Sequence, residues 1–316
     1  MERQAQEAGP GKGGCGKLKQ VQKALAGLLV LALFMTGFGG LFPHPAAEAL
    51  QPEAFLDASY HGDRASAGDR VKLDLSGLEM GYVGVSAWSD KRLKFQVIKG
   101  EDTYNYNLSG DGTPSVFPLQ CGNGSYRFRV MENIVDKKYS ELRSQTCEVK
   151  LLDEFQPFLR PSDYVSYSSS SECVKKAAEF SRDAATEAEF IKAVYDYISR
   201  GVRYDKKKAA EVKSGYLPVP DETMKTGRGI CFDYAALAAS MLRSQGVPTK
   251  MIFGYVAPKD LYHAWNMFYT KEAGWVAVKF EVSADSWNRL DLTFIANGAN
   301  AAFVGDGTNY ADVYCY

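Results

Sequence analysis

Histidine is scarce in this 316-residue chain, which has only His44, His61 and His263. Its six cysteines are widely spread, and no two lie at the short spacing of a metal-ligand pair. A zinc site is therefore not expected. No cofactor is expected either: the Gly-rich tail Phe303–Tyr310 lacks phosphate-loop spacing. Excess positive charge is also missing. The 37 basic and 38 acidic side chains give a net charge of −1, which argues against nucleic acid as a partner. Apart from one run between Ala24 and Phe42, no stretch is long and apolar enough to span a bilayer.

That run shapes the first 49 residues. Lys12, Lys17, Lys19 and Lys23 precede it, and Pro43, Pro45 and Ala47-Glu48-Ala49 follow it. A basic start, an apolar middle and small residues at the cleavage positions make residues 1–49 read as a secretory signal cut after Ala49. A retained anchor is the alternative, and it would be the chain's one attachment to a membrane. Under either reading residues 50–316 are secreted or held at the cell surface, outside the cytoplasm.

Residues 50–152 read as an all-β domain. Val71-Lys72-Leu73-Asp74-Leu75, Leu93-Lys94-Phe95-Gln96-Val97 and Tyr126-Arg127-Phe128-Arg129-Val130 alternate apolar and polar residues. Gly110-Asp111-Gly112 and Gly122-Asn123-Gly124-Ser125 supply turns between such strands. Short strands with regular turns suggest an immunoglobulin-like sandwich without chemistry of its own, a spacer, a binding module or a structural platform. Residues 153–172, with Pro157, Pro161 and four serines at Ser168–Ser171, form a joint. Helices follow: one over Val174–Phe180, and one opened by the capping pattern Thr186-Glu187-Ala188-Glu189 that ends near Gly201. Lys206-Lys207-Lys208 reads as a solvated face. With Cys231 set aside, Cys121, Cys147, Cys173 and Cys315 allow three disulfide pairings in an oxidising compartment. Cys121 with Cys147 and Cys173 with Cys315 is the arrangement that would staple both parts.

Cys231 is set aside because of what surrounds it. Thr226-Gly227-Arg228-Gly229-Ile230-Cys231-Phe232-Asp233-Tyr234 leads into Ala235-Ala236-Leu237-Ala238-Ala239-Ser240-Met241-Leu242, a run of strong helix formers. The thiol then sits on the first turn of a helix, where free N–H groups and the dipole favour an anion. Such a site lowers a thiol pKa from about 8.5 into the range of roughly 3.5–7.5. Gly227 and Gly229 let a substrate or another backbone come close. A nucleophile needs a base, and His263, in the strand-like Leu261–Tyr269, is the histidine placed to serve. Trp265 and Met267 share its face. The base needs an orienting group. Asp291 occupies the polar face of Trp287–Phe294, and Asp285, in a turn, is the alternative. Tyr204 and Trp265 are further candidates to line the site, with ordinary packing as the competing reading of each.

Gly227-Arg228-Gly229-Ile230-Cys231-Phe232-Asp233-Tyr234-Ala235, Gly254-Tyr255-Val256, His263-Ala264-Trp265 and Leu290-Asp291-Leu292-Thr293 together resemble the transglutaminase-like superfamily over roughly residues 170–300. The resemblance implies an α+β fold for residues 173–316: a papain-like core of helices packed on an antiparallel sheet, behind the β-sandwich. It implies a Cys231–His263–Asp291 triad, acyl transfer through a thioester, and a peptide or glutamine-type amide as substrate. In the simplest members the aspartate lies on the first strand after the histidine strand. Here that segment, Gly274–Phe280, has none, and Asp291 comes one strand later. The export signal makes cell-wall peptides and surface proteins the expected partners. A binding scaffold that keeps the fold without turnover is the alternative from another class, and a papain-like cell-wall endopeptidase is a third reading.

Overall fold

The computed structural model describes residues 55–66, 68–256, 261–271, 274–278 and 310–316. The leader and Asp291, with its alternative Asp285, lie outside the described residues.

Seven antiparallel strands come first. β1 (Val71–Asp74), β2 (Tyr82–Ala87) and β5 (Ser115–Pro118) form one sheet in the order β1-β2-β5. β3 (Leu93–Lys99), β4 (Asp102–Leu108), β6 (Gly124–Val135) and β7 (Lys138–Val149) form a second in the order β4-β3-β6-β7. Alternation works as the sequence suggests: on β3, Leu93, Phe95 and Val97 are buried while Lys94 and Gln96 are less so. Phe117 of β5 meets Phe95 of β3 with ring centroids 4.9 Å apart, so the sheets pack inner face on inner face.

The chain then crosses a joint that holds a short 3₁₀ turn, Gln156–Phe158, and enters the helices. α1 spans Glu172–Asp183 and α2 spans Glu187–Gly201. The capping signal at Thr186 is used as expected: its hydroxyl accepts from the Glu189 N–H at 3.2 Å, and the Glu189 carboxylate accepts from the Ala185 N–H at 2.8 Å. α3 (Lys206–Glu211) and α4 (Pro220–Thr226) are short. Two-residue strands flank them, β8 (Arg203–Tyr204) before α3 and β9 (Arg228–Gly229) after α4. α5 (Cys231–Arg243) is buried along its whole length. Its alanines let neighbours approach closely, and an all-round small and apolar surface suits a central helix.

α5 lies against the third sheet, in which β10 (Thr249–Val256), β11 (Leu261–Thr270), β12 (Gly274–Val278) and β13 (Tyr310–Cys315) run in the order β12-β11-β10-β13. The fold is thus mixed α and β, with helices packed on an antiparallel sheet. The expected final strand at Val313–Tyr316 begins earlier, at Tyr310, and pairs with β10. None of the five described cysteines is joined in a disulfide, so neither expected pairing forms. Cys173 instead opens α1 beside Asp221, whose carboxylate accepts from the Glu172 and Cys173 N–H groups at 3.0 and 2.9 Å.

An aromatic seam joins the strand-rich part to the helical part. Tyr316 meets Tyr104 and Tyr106 of β4 at 5.4 and 5.7 Å, and Tyr164 of the joint at 4.5 Å. Tyr164 in turn meets Phe232 of α5 at 5.7 Å. Beside this seam Arg243, 2% exposed, donates to the carbonyls of Thr249 (2.8 Å), Arg160 (2.8 Å) and Tyr316 (3.1 Å). A cation at a helix C-terminus is well placed electrostatically. Here it also satisfies carbonyls of three separate segments. Arg243→Ala would leave these acceptors unmet and is expected to lower the free energy of unfolding by about 3 kcal/mol or more, measured by urea denaturation.

Candidate active site

The route to Cys231 is set by two glycines. α4 stops because Gly227 adopts φ +60°, a left-handed conformation that closes the helix. β9 then runs parallel to β8. A Cβ on Gly229 would sit 2.7 Å from the Cβ of Asp233, so a side chain at Gly229 cannot coexist with the observed turn. Ile230 precedes the helix and has no side-chain acceptor with which to cap it. Asp233, fully buried one turn on, supplies the cap in reverse: its carboxylate accepts from the Ile230 N–H at 2.8 Å.

Cys231 therefore begins α5 as the sequence suggests, but its acidity goes the other way. The thiol is 3% exposed, and burial pushes it up to about 12. The backbone N–H groups of Ala264, Phe232 and Cys231 itself act in the opposite direction, and the Asp233 charge adds to the rise. The expected depression is corrected because desolvation of a thiolate outweighs the helix-terminal donors when the surroundings are closed to water. In this arrangement the sulfur is a protonated, enclosed thiol.

The contact from Ala264 places the histidine strand at the sulfur. β11 pairs with β10 in a continuous register that sets His263 opposite Gly254 and Ala264 opposite Phe253. Asn266 donates to the Ala235 carbonyl of α5 at 3.0 Å, and Phe268 meets Tyr195 of α2, so Ala264, Asn266 and Phe268 form the helix-facing row. His263, Trp265 and Met267 belong to the other row, which includes Tyr269 packed on Phe155 of the joint. His263 is half-buried with Nε2 shielded from solvent, and Trp265 is 3% exposed. What meets is the sulfur and the peptide that joins His263 to Ala264. Tyr204 is half-buried, its phenol pushed up by burial and by the neighbouring Cys231 sulfur. Gly229 pairs with Tyr204 in the short parallel ladder.

Three features of the site lie beyond sequence reasoning. The Ala264 and Phe232 N–H groups carry no signal in residue types. Asp233 is legible only as part of a motif, yet it is the group around which the turn is built. Lys208 belongs to a run expected to be a solvated face. Lys206 and Lys207 are exposed as that expectation requires, but Lys208 turns inward to Asp233 at 2.8 Å. Among the described residues no three His, Cys, Asp or Glu side chains converge as metal ligands would.

Part of the chain is similar to known proteins. Residues 174–280, from α1 to just past β12, match the model of the Transglutaminase-like superfamily. A UPF0252 protein of Methanocaldococcus jannaschii is 27% identical over 96 residues, which are 29% of this chain and 26% of that protein. The match thus spans about a quarter of that relative's length. Among solved structures, a candidate cysteine protease from Cytophaga hutchinsonii aligns over 73% of both chains at 15% identity and a TM-score of 0.37. Red sea bream transglutaminase aligns over 63% of this chain and 48% of its own at 11% identity and a TM-score of 0.26.

The raised thiol has a consequence for stability. Its folded pKa lies above the unfolded value, so its contribution is fully present below an unfolded thiol pKa of about 8.5 and is lost as pH rises toward about 12. The native protein is expected to lose stability across that window. Cys231→Ala should flatten the fall when urea denaturation midpoints of the two proteins are compared from pH 8 to pH 11.

Proposed function

We propose that the chain is an exported, cysteine-dependent acyl-transfer enzyme acting on peptide or glutamine-type amide bonds. The observation that carries this reading is the position of Cys231: the first residue of a buried helix, ringed by its own N–H, that of Phe232 and that of Ala264, the neighbour of His263. The match of residues 174–280 supports the same class.

In the proposed reaction the His263 imidazole turns from its row to the sulfur beside its own peptide and takes the proton from the enclosed thiol, and the sulfur attacks the amide carbonyl carbon. A sulfur–carbon bond forms, and the carbonyl oxygen gains the negative charge. The Cys231 N–H and a second donor near it receive that oxyanion. Collapse breaks the carbon–nitrogen bond, and His263 returns the proton to the departing amine. Water or a lysine amine then takes the acyl group from the thioester. Asp291 is assigned to hold the imidazole tautomer, and Tyr204, Gly229 and Trp265 to line the site. Positioned acid–base help of this kind contributes about 10²–10⁴-fold in rate.

We read residues 1–49 as the export signal, 50–152 as an immunoglobulin-like module, 153–172 as the joint and 173–316 as the catalytic domain. The strand order β1-β2-β5 against β4-β3-β6-β7 supports the module, since it follows the A-B-E and C′-C-F-G order of such sandwiches. Export makes peptides of the cell envelope and surface proteins the partners of choice.

The closed thiol favours one competing reading, a binding scaffold without turnover. A glutamine-bearing protein incubated with a fluorescent amine, followed by mass spectrometry, separates the two. Incorporated amine, deamidation or new termini that vanish in Cys231→Ala and drop about 10²–10⁴-fold in His263→Ala support the enzyme. No product from the folded wild-type protein, under conditions where Cys231 can be alkylated, would leave the scaffold.

A further inference from the structure

The segment from Asp205 to Tyr216, which contains α3, crosses the start of α5 and borders an open concavity of about 560 Å³ lined in part by Lys207, Lys208, Lys213 and Tyr216. No residue of α3 is buried. The segment's Asp205 N–H donates to the Gly229 carbonyl at 2.8 Å, Ala209, Val212 and Tyr216 rest against the core, and a polar cluster joins the segment to α5. The Lys208 ammonium lies 2.8 Å from the Asp233 carboxylate and donates to the Tyr216 hydroxyl at 2.6 Å. The Tyr216 hydroxyl donates to the other Asp233 oxygen, and its ring lies 6.1 Å from that of Phe232. Asp233 is fully buried and also holds the Ile230 N–H, the peptide before the nucleophile.

A buried carboxylate two residues from a cysteine opposes formation of the thiolate, because like charges in a poorly solvated site repel strongly. Among the described residues, three elements supply groups that face the sulfur. α5 contributes Asp233 and the N–H groups of Cys231 and Phe232. β11 contributes the Ala264 N–H, with His263 beside it, and β8 contributes Tyr204. The Asp233 carboxylate in turn meets the Ile230 N–H, the Tyr216 hydroxyl and one cation, Lys208.

From this geometry we infer that Lys208 is a positioning residue for the Cys231 chemistry. Through Asp233 it cancels the charge that opposes the thiolate and fixes the turn that presents the sulfur. This inference rests on Cys231 as the nucleophile and deepens that reading. The Lys-Lys-Lys run thus contributes one functional cation, selected by its position on α3, and two solvated ones.

The test is the rate of Cys231 alkylation by iodoacetamide at pH 8.5, read by peptide mass spectrometry on the full chain. Circular dichroism confirms the fold of each variant. At a pH below the thiol pKa, a tenfold weaker acid holds a tenfold smaller thiolate fraction, and labelling slows in proportion. Lys208→Met leaves Asp233 uncompensated, and the rate should fall by about tenfold. Lys208→Arg should restore it. Asp233→Asn, which can still accept from the Ile230 N–H, removes the opposing charge, and the rate should rise by about tenfold. Lys208→Met combined with Asp233→Asn should not fall below the wild type. If the cluster merely latches the segment in place, both single changes loosen it and accelerate labelling alike. Rate changes in the same direction, or no change, would overturn the inference. Tyr216→Phe, which removes one donor to Asp233, gives a milder slowing and stands in if Lys208→Met does not fold. Amide turnover is not read in this experiment. Opposite rate changes without turnover would leave the charge compensation and remove the proposed enzyme, while turnover with unchanged labelling would do the reverse.

Discussion

A helix buried on every side must find internal partners for the N–H groups at its start, and this constraint organises the site. α5 has no solvated face, so water cannot serve its first turn. One solution is a carboxylate from within the helix: Asp233 turns back to the Ile230 N–H. Another is the Cys231 sulfur, which draws the N–H groups of Phe232 and Cys231 and also that of Ala264 from β11. The rest follows from accommodating Asp233. Its charge demands Lys208, its second oxygen takes Tyr216, and its Cβ excludes any side chain from Gly229.

The same enclosure explains why a cysteine on the first turn of a helix can carry a weakly acidic thiol. Helix-terminal donors stabilise a thiolate, but removing it from water costs more in this setting. The balance depends on how closed the surroundings are, and the segment with α3 is held against the start of α5 by polar contacts to Asp233 together with Ala209, Val212 and Tyr216 on the core. Arg243 plays the corresponding part at the far end of α5, where one guanidinium answers carbonyls from β10, the joint and the chain beyond β13.

Much of this is legible in the amino-acid order. The alternation at Leu93–Val97, the capping pattern at Thr186 and the alanine-rich run after Cys231 each produce the element they suggest, because each is a local preference that tertiary packing reinforces. The position of Cys231 on the first helical turn is legible for the same reason. Its acidity is not, since local position does not report how much water the rest of the fold admits. Lys208 looks like its two neighbours because a charge run is uniform in sequence and differs only by helical rotation. Ala264 cannot be singled out at all: a backbone donor has no residue-type signature. The unbridged cysteines show a related limit, because counting thiols says which pairings are allowed and nothing about distance.

The aromatic seam bears on how the parts of the molecule depend on each other. Tyr164 stands between Tyr106 of the second sheet and Phe232, the residue after Cys231, while Tyr316 rests on Tyr106 and on Phe253 of β10. The strand-rich portion therefore forms part of the wall behind α5 and is more than a stalk. A fragment cut at the joint would strip that wall and turn several ring faces toward water, so each part owes a share of its burial to the other.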